Sequence, residues 1–216
     1  IVIQLGAILA IVWLYRARLF GAVRAVGHDA GSRRCLLNLL VAFLPAAIVG
    51  FLAHDWIKER LFTSAVVATA LIVGGILILL IERWAPRPRV PDVLDLTPRT
   101  ALGIGLAQVL SLIPGTSRSG ATILGGYALG LSRTAATEFS FFLAVPVMVA
   151  ATLYDLLKSW SALTPTDLPF FLVGFSVSFV TALVVVKAFL SYVSGHSFTA
   201  FAWYRIAFGA FLLWLL

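Results

Sequence analysis

Between Thr100 and Ser132 the chain carries a single charge, Arg118, in otherwise apolar sequence. A charge inside a membrane-type block is expensive, so the fold must surround Arg118 with protein or water rather than lipid. Pro114 and Gly115 break any helix entering from 101–113, and Gly120 frees the backbone where a second helical run, 121–131, begins. The break leaves amide N–H groups at a helix N-terminus, beside the Ser117, Ser119 and Thr122 hydroxyls and the Arg118 guanidinium. Such a gathering of donors describes an anion site, and phosphate is its natural guest. The competing reading is a kinked helix whose arginine pairs with a carboxylate elsewhere.

Composition sets the surroundings. The chain is 61% hydrophobic and 12% charged, with a mean hydropathy of +1.04, against soluble norms of roughly 45–50% and 25%. This is the profile of an all-α, polytopic helical membrane protein. The net charge of +7 does not point to nucleic acid, because ten of the sixteen basic residues lie in 16–34, 54–62 and 83–89, between apolar runs. That distribution is a topology signal. Cys35 stands alone, which excludes an internal disulfide and leaves a packing role.

Six spans are expected: 1–20, 35–53, 61–81, 139–157, 168–190 and 198–216. Residues 1–15 are uncharged but shorter than the roughly 20 that cross a bilayer, so the first helix is expected to start before Ile1. The arginine-rich segments 16–34 and 83–99 read as cytoplasmic. His54–Arg60 and the loop with Lys158 and Asp167 read as outer. Four prolines, Pro86, Pro88, Pro91 and Pro98, oppose helix over 82–99. Each arm of the 100–132 block is too short to cross, so a re-entrant hairpin is expected there. Glu138 reads as an interfacial cap or as a group facing the site. Arg205, inside the last span without a local acid, needs a partner in the bundle or an anionic ligand.

The chain is faintly self-similar: Leu40-Val41-Ala42-Phe43 answers Leu172-Val173-Gly174-Phe175, and Leu14-Tyr15 answers Leu153-Tyr154. Three spans per half require the halves to be inverted, an architecture that sets sites where broken helices meet. The expected organisation is a single membrane domain with a first repeat over 1–99 and a second over 100–216. The second opens with the hairpin, and the first should open with its own, ahead of Ile1.

Gln108 with Pro114-Gly115-Thr116-Ser117-Arg118-Ser119-Gly120-Ala121-Thr122, then Glu138-Phe139-Ser140-Phe141-Phe142-Leu143-Ala144-Val145-Pro146, and the opening Ile3-Gln4-Leu5-Gly6-Ala7-Ile8-Leu9-Ala10, closely resemble the bacterial undecaprenyl-diphosphate phosphatase family, also called the bacitracin-resistance protein family. The similarity runs through essentially the whole chain. It implies a hydrolase of the bacterial cytoplasmic (inner) membrane that removes the terminal phosphate of undecaprenyl diphosphate. The product is the carrier lipid reused in peptidoglycan synthesis and cell wall biogenesis, hence cell shape and bacitracin resistance. It implies substrate binding by Gly115, Thr116, Ser117, Arg118, Ser119, Gly120 and Thr122, with Gln108 and Arg205 at further family positions, and catalysis by Ser117 and Arg118. The family's other motif, two glutamates four apart followed by Pro-x-Ser-Ser-Thr-Gly-His, matches nothing here, and the resemblance implies a longer natural chain that supplies it.

Several alternatives stay open from sequence. One is a lipid-diphosphate or anion transporter, which the inverted repeat alone would favour. A second class of lipid phosphatases works through a Ser-Gly-His and a further histidine; the chain has only His28, His54 and His196, and this chemistry is expected to be absent. No metal-ligand cluster is visible, so a divalent cation such as Mg or Ca would have to arrive with the diphosphate. The expected partners are a polyprenyl diphosphate lipid and the membrane, not nucleic acid; a homo-oligomer stays open.

Overall fold

The computed structural model describes residues 2–158 and 168–216, so the expected loop position of Asp167 lies outside the described residues. Within them the chain is all-α. The first apolar run predicts one helix over 1–20, but α1 (Val2–Leu14) stops at Tyr15 and α2 (Arg16–Ala25) leaves it at 73°. The reason is charge: Arg16 folds back so that Nη1 donates to the Trp13 carbonyl at 2.8 Å and the guanidinium lies 4.7 Å over the Trp13 ring. Arginines held at the edge of an apolar layer turn the backbone out of it.

Helix α3 (Ala30–Leu52) begins on Asp29, whose carboxylate accepts from the Gly31 and Ser32 amides. A short helix, α4 (His54–Leu61), replaces the expected loop, and α5 (Ser64–Trp84) follows. Residues 85–97 are irregular apart from a 3₁₀ turn at Val93–Asp95, as the prolines predict. Helix α6 (Pro98–Val109) starts with Pro98 in its first turn, where a missing N–H costs nothing. The remaining helices are α7 (Arg118–Ala128), α8 (Arg133–Lys158), α9 (Leu168–Gly195) and α10 (Thr199–Leu215). Four of them, α3, α5, α8 and α9, are long and apolar enough to cross a membrane, and the bent α1–α2 pair makes a fifth if counted as one span. Helix α10, with 17 residues, reaches about 26 Å at 1.5 Å per residue.

Between α6 and α7 the chain doubles back. Leu129 lies against Gly103 and Ala107 against Gly125, so early residues of one arm meet late residues of the other. The base is stitched: Arg89 and Val90 amides donate to the Gly130 carbonyl at 2.8 and 3.1 Å, and Ser132 N–H donates to the Val90 carbonyl at 3.0 Å. Entry and exit are therefore adjacent, and the hairpin returns to the side it came from. Its tip meets Gly50 through Leu112 and Val67 through Gly115. Both lie near the ends of α3 and α5 that are remote from the arginine-rich segments. Gly115 has φ +89°, and a Cβ there would lie 2.5 Å from the Val67 carbonyl oxygen; only glycine makes this turn against this helix.

The helix pairs close through small residues. Helices α5 and α10 pack antiparallel so tightly that a Cβ on Gly75 would lie 2.7 Å from the Ala202 carbonyl oxygen. Helix α3 lies along α6, and α1 lies along α9 and α8, with Tyr15 edge-on to Phe142 at 5.0 Å between centroids. The core around the hairpin is formed by Val93, Leu96, Ile104, Leu131, Phe139 and Leu143. Val173, Val177, Val180 and Val184 form an exposed apolar stripe on α9, the surface that lipid covers. At the arginine-rich end, Glu82 accepts from Arg133 Nη2 at 2.5 Å, Arg133 Nε at 3.2 Å and the Phe198 amide at 2.7 Å, joining α5, α8 and α10.

Candidate active site

Ser117 is the N-cap of α7: its hydroxyl oxygen accepts from the Gly120 amide at 3.1 Å and lies 3.2 Å from the Ser119 hydroxyl. One turn on, the Thr122 hydroxyl donates to backbone carbonyls of the same turn and lies 2.6 Å from the Ser140 hydroxyl on α8. Thr122 thus fastens the first turn of α7 to α8. Ser140 is a residue that sequence reasoning did not single out; its only signal was a hydroxyl in the apolar Glu138–Pro146 run.

Arg118 and Gln108 share a cleft of about 810 Å³ between α3, α6 and α8. Its walls are apolar, with Phe43, Ala46 and Val147 among them, and its mouth carries His54, Asp55, Tyr154 and Lys158. These mouth groups stand at the α4 end of the bundle, opposite the arginine-rich segments. None of the four was expected at the site, because they come from two segments far apart in sequence, the start of α4 and the end of α8. Gln108 is 1% exposed. No protein partner among the described residues reaches its side-chain Nε2 or Oε1.

A second cavity, of about 280 Å³, lies between α5, α7, α9 and α10 and is lined by Ser117, Ser119, Gly120 and Arg205 with Phe198 and Tyr204 among its walls. The expected donors are therefore divided: Arg118 and Gln108 face one side of the hairpin tip, and the serines and Arg205 the other. Arg205 meets the bundle through backbone, its Nη2 donating to the Ala70 carbonyl at 3.2 Å and the Gly115 carbonyl at 3.0 Å. Thr116 borders a third cavity, against Thr69, Ala70 and Gly74 of α5.

Glu138 neither caps α8 nor reaches Arg118. Ser132 supplies the capping oxygen, to the Ala135 amide at 3.0 Å, while Glu138 pairs with Arg18 of α2, which also meets Asp92 at 2.5 Å. A Ser-Gly-His run is present, Ser194-Gly195-His196, so sequence alone does not exclude the histidine-dependent class. His196 stacks on Tyr192 at 4.6 Å beside the Glu82–Phe198 contact, at the opposite end of the bundle from the Arg118 cleft. Among the described residues no three His, Cys, Asp or Glu side chains gather as metal ligands.

The family model for bacitracin resistance protein BacA matches residues 1–211. An undecaprenyl-diphosphatase of Methylococcus capsulatus is 55% identical over 213 residues, which is 99% of this chain and 78% of that protein. One from Laribacter hongkongensis is 53% identical over the same shares, and one from Nitrosospira multiformis is 56% identical over 216 residues, again 99% and 78%. With a match spanning nearly its whole length, around an arginine set at the tip of a re-entrant hairpin, this chain belongs to the bacitracin resistance protein BacA family.

Proposed function

We propose that this protein is an integral-membrane phosphatase of the bacterial cytoplasmic membrane, hydrolysing undecaprenyl diphosphate to undecaprenyl phosphate and inorganic phosphate. The observation that carries the reading is Arg118, a lone guanidinium at the first position of α7, lining a cleft whose walls are apolar and whose other charged groups stand at its mouth. A helix N-terminus attracts anions, and a guanidinium clamps two phosphate oxygens at once. The diphosphate lies over the start of α7, with Arg118 and Gln108 on one flank and Ser117 and Ser119 on the other. Arg118 stabilises the charge that gathers as the bridging P–O bond breaks. Ser117 donates a hydrogen bond to the terminal phosphate or attacks it.

Basic residues in short loops stay in the cytoplasm, so the Arg118 cleft, at the α4 end, opens to the outer side. The division into inverted halves, 1–99 and 100–216, belongs to the same proposal. It is supported by the close pairing of α5 with α10, the last helix of each half. Purified full-length protein given undecaprenyl diphosphate is expected to release inorganic phosphate; a transporter of the same architecture would move the lipid and release none.

A further inference from the structure

Gln108 is the one polar side chain in the Arg118 cleft that is fully buried and yet unpaired among the described residues. Buried polar groups are normally satisfied, and a side chain left without partners costs stability unless its partners come with a ligand. The chemistry of an amide tells which partners these are. Nε2 can only donate and Oε1 can only accept. Diphosphate oxygens accept and a guanidinium donates, so Arg118 and Nε2 both suit the phosphate, whereas Oε1 needs a donor. Ser111 is not free to be that donor, because its hydroxyl gives its proton to the Gln108 backbone carbonyl at 2.6 Å. Water, the second reactant of a hydrolysis, is.

We propose that Gln108 is a positioning residue that holds the attacking water through Oε1 and a terminal phosphate oxygen through Nε2; this rests on the phosphatase reading above, in the form in which Ser117 donates a hydrogen bond and does not attack. In the step so arranged, a bond forms from the water oxygen to the terminal phosphorus. The bridging P–O bond breaks, and its electron pair leaves on the undecaprenyl phosphate oxygen. Both water protons stay with the transferred group, which departs as dihydrogen phosphate, and charge balances: a trianion gives a dianion and a monoanion. Glutamine positions water in the same sense in other phosphoryl-transfer enzymes.

The test uses full-length protein with Gln108→Leu and Gln108→Glu, measuring kcat, KM and melting temperature with undecaprenyl diphosphate. Gln108→Leu is expected to lower kcat roughly 100-fold, the scale of a lost transition-state contact. Its KM should stay within about twofold and its melting temperature should equal or exceed the parent's, since an apolar side chain suits an unpaired buried site. Gln108→Glu keeps an acceptor for water, so its kcat should exceed that of Gln108→Leu, while the added charge raises KM. An unchanged kcat, a loss seen only in KM, or a lowered melting temperature with kcat falling in step would each overturn the role. No phosphate release by the unaltered protein would overturn the phosphatase reading and this role together.

Discussion

The Arg205 guanidinium donates to the Gly115 carbonyl oxygen at 3.0 Å, tying the middle of α10 to the turn that aims α7. The same nitrogen holds the Ala70 carbonyl of α5 at 3.2 Å. Arg205→Met should free the turn, lowering activity by about 100-fold, the scale expected when reacting groups shift by an ångström, together with the melting temperature. Gly74→Ala tests the same contact from the other side, because a Cβ there would lie 2.5 Å from Arg205 Nη2 and would push the guanidinium away. Full activity in both variants would show that Arg205 does not set the turn.

Arg118→Lys retains the charge and loses the planar fork that clamps two oxygens. Most of the phosphate-release activity should disappear, with Arg118→Ala losing more, on the order of 10²–10³-fold, while both proteins melt at the parent temperature. A silent Arg118→Lys and an unstable Arg118→Ala would return Arg118 to a structural role.

Ser117 has two separable duties. As N-cap it accepts from the Gly120 amide at 3.1 Å, worth about 1 kcal/mol to the helix; in the proposed reading it also meets the phosphate. Ser117→Asp preserves the cap but sets a negative charge where the anion binds, so stability should hold and phosphate release should vanish. Ser117→Ala distinguishes nucleophile from donor: turnover disappears entirely if Ser117 attacks phosphorus and falls only partly if it donates a hydrogen bond.

Glu82 joins three helices at the arginine-rich end through Arg133 and the Phe198 amide. Glu82→Leu leaves the Phe198 amide and the Arg133 guanidinium without their acceptor, so the melting temperature should drop by several degrees, as losses of about 1–3 kcal/mol do. KM should stay at the parent value, because the clamp stands at the far end from the Arg118 cleft. A raised KM without a stability change would assign Glu82 to substrate handling.

Local rules made much of this protein legible in its residues. Apolar runs bounded by arginines marked the helices, and Pro114-Gly115 marked the hairpin, because hydropathy and backbone breaking act over a few residues. The lone charge of Arg118 marked the candidate site because burying it needs a reason anywhere in a membrane. Other features depend on which surfaces meet. The bend at Tyr15 comes from Arg16 reaching back to Trp13, and Glu138 finds Arg18 120 residues away. Arg205 reaches a carbonyl 90 residues off. The separation of Arg118 from Ser117 and Ser119 is the clearest case. Adjacent residues leave a helix about 100° apart, so whether they look into one cavity or two is decided by the neighbouring helices. The sequence by itself determined an all-α membrane chain with a helix break around a lone arginine. Only the tertiary structure decided that Gln108 and Arg118 share one cleft while the serines share another with Arg205, because that depends on helix pairs packed across the whole chain.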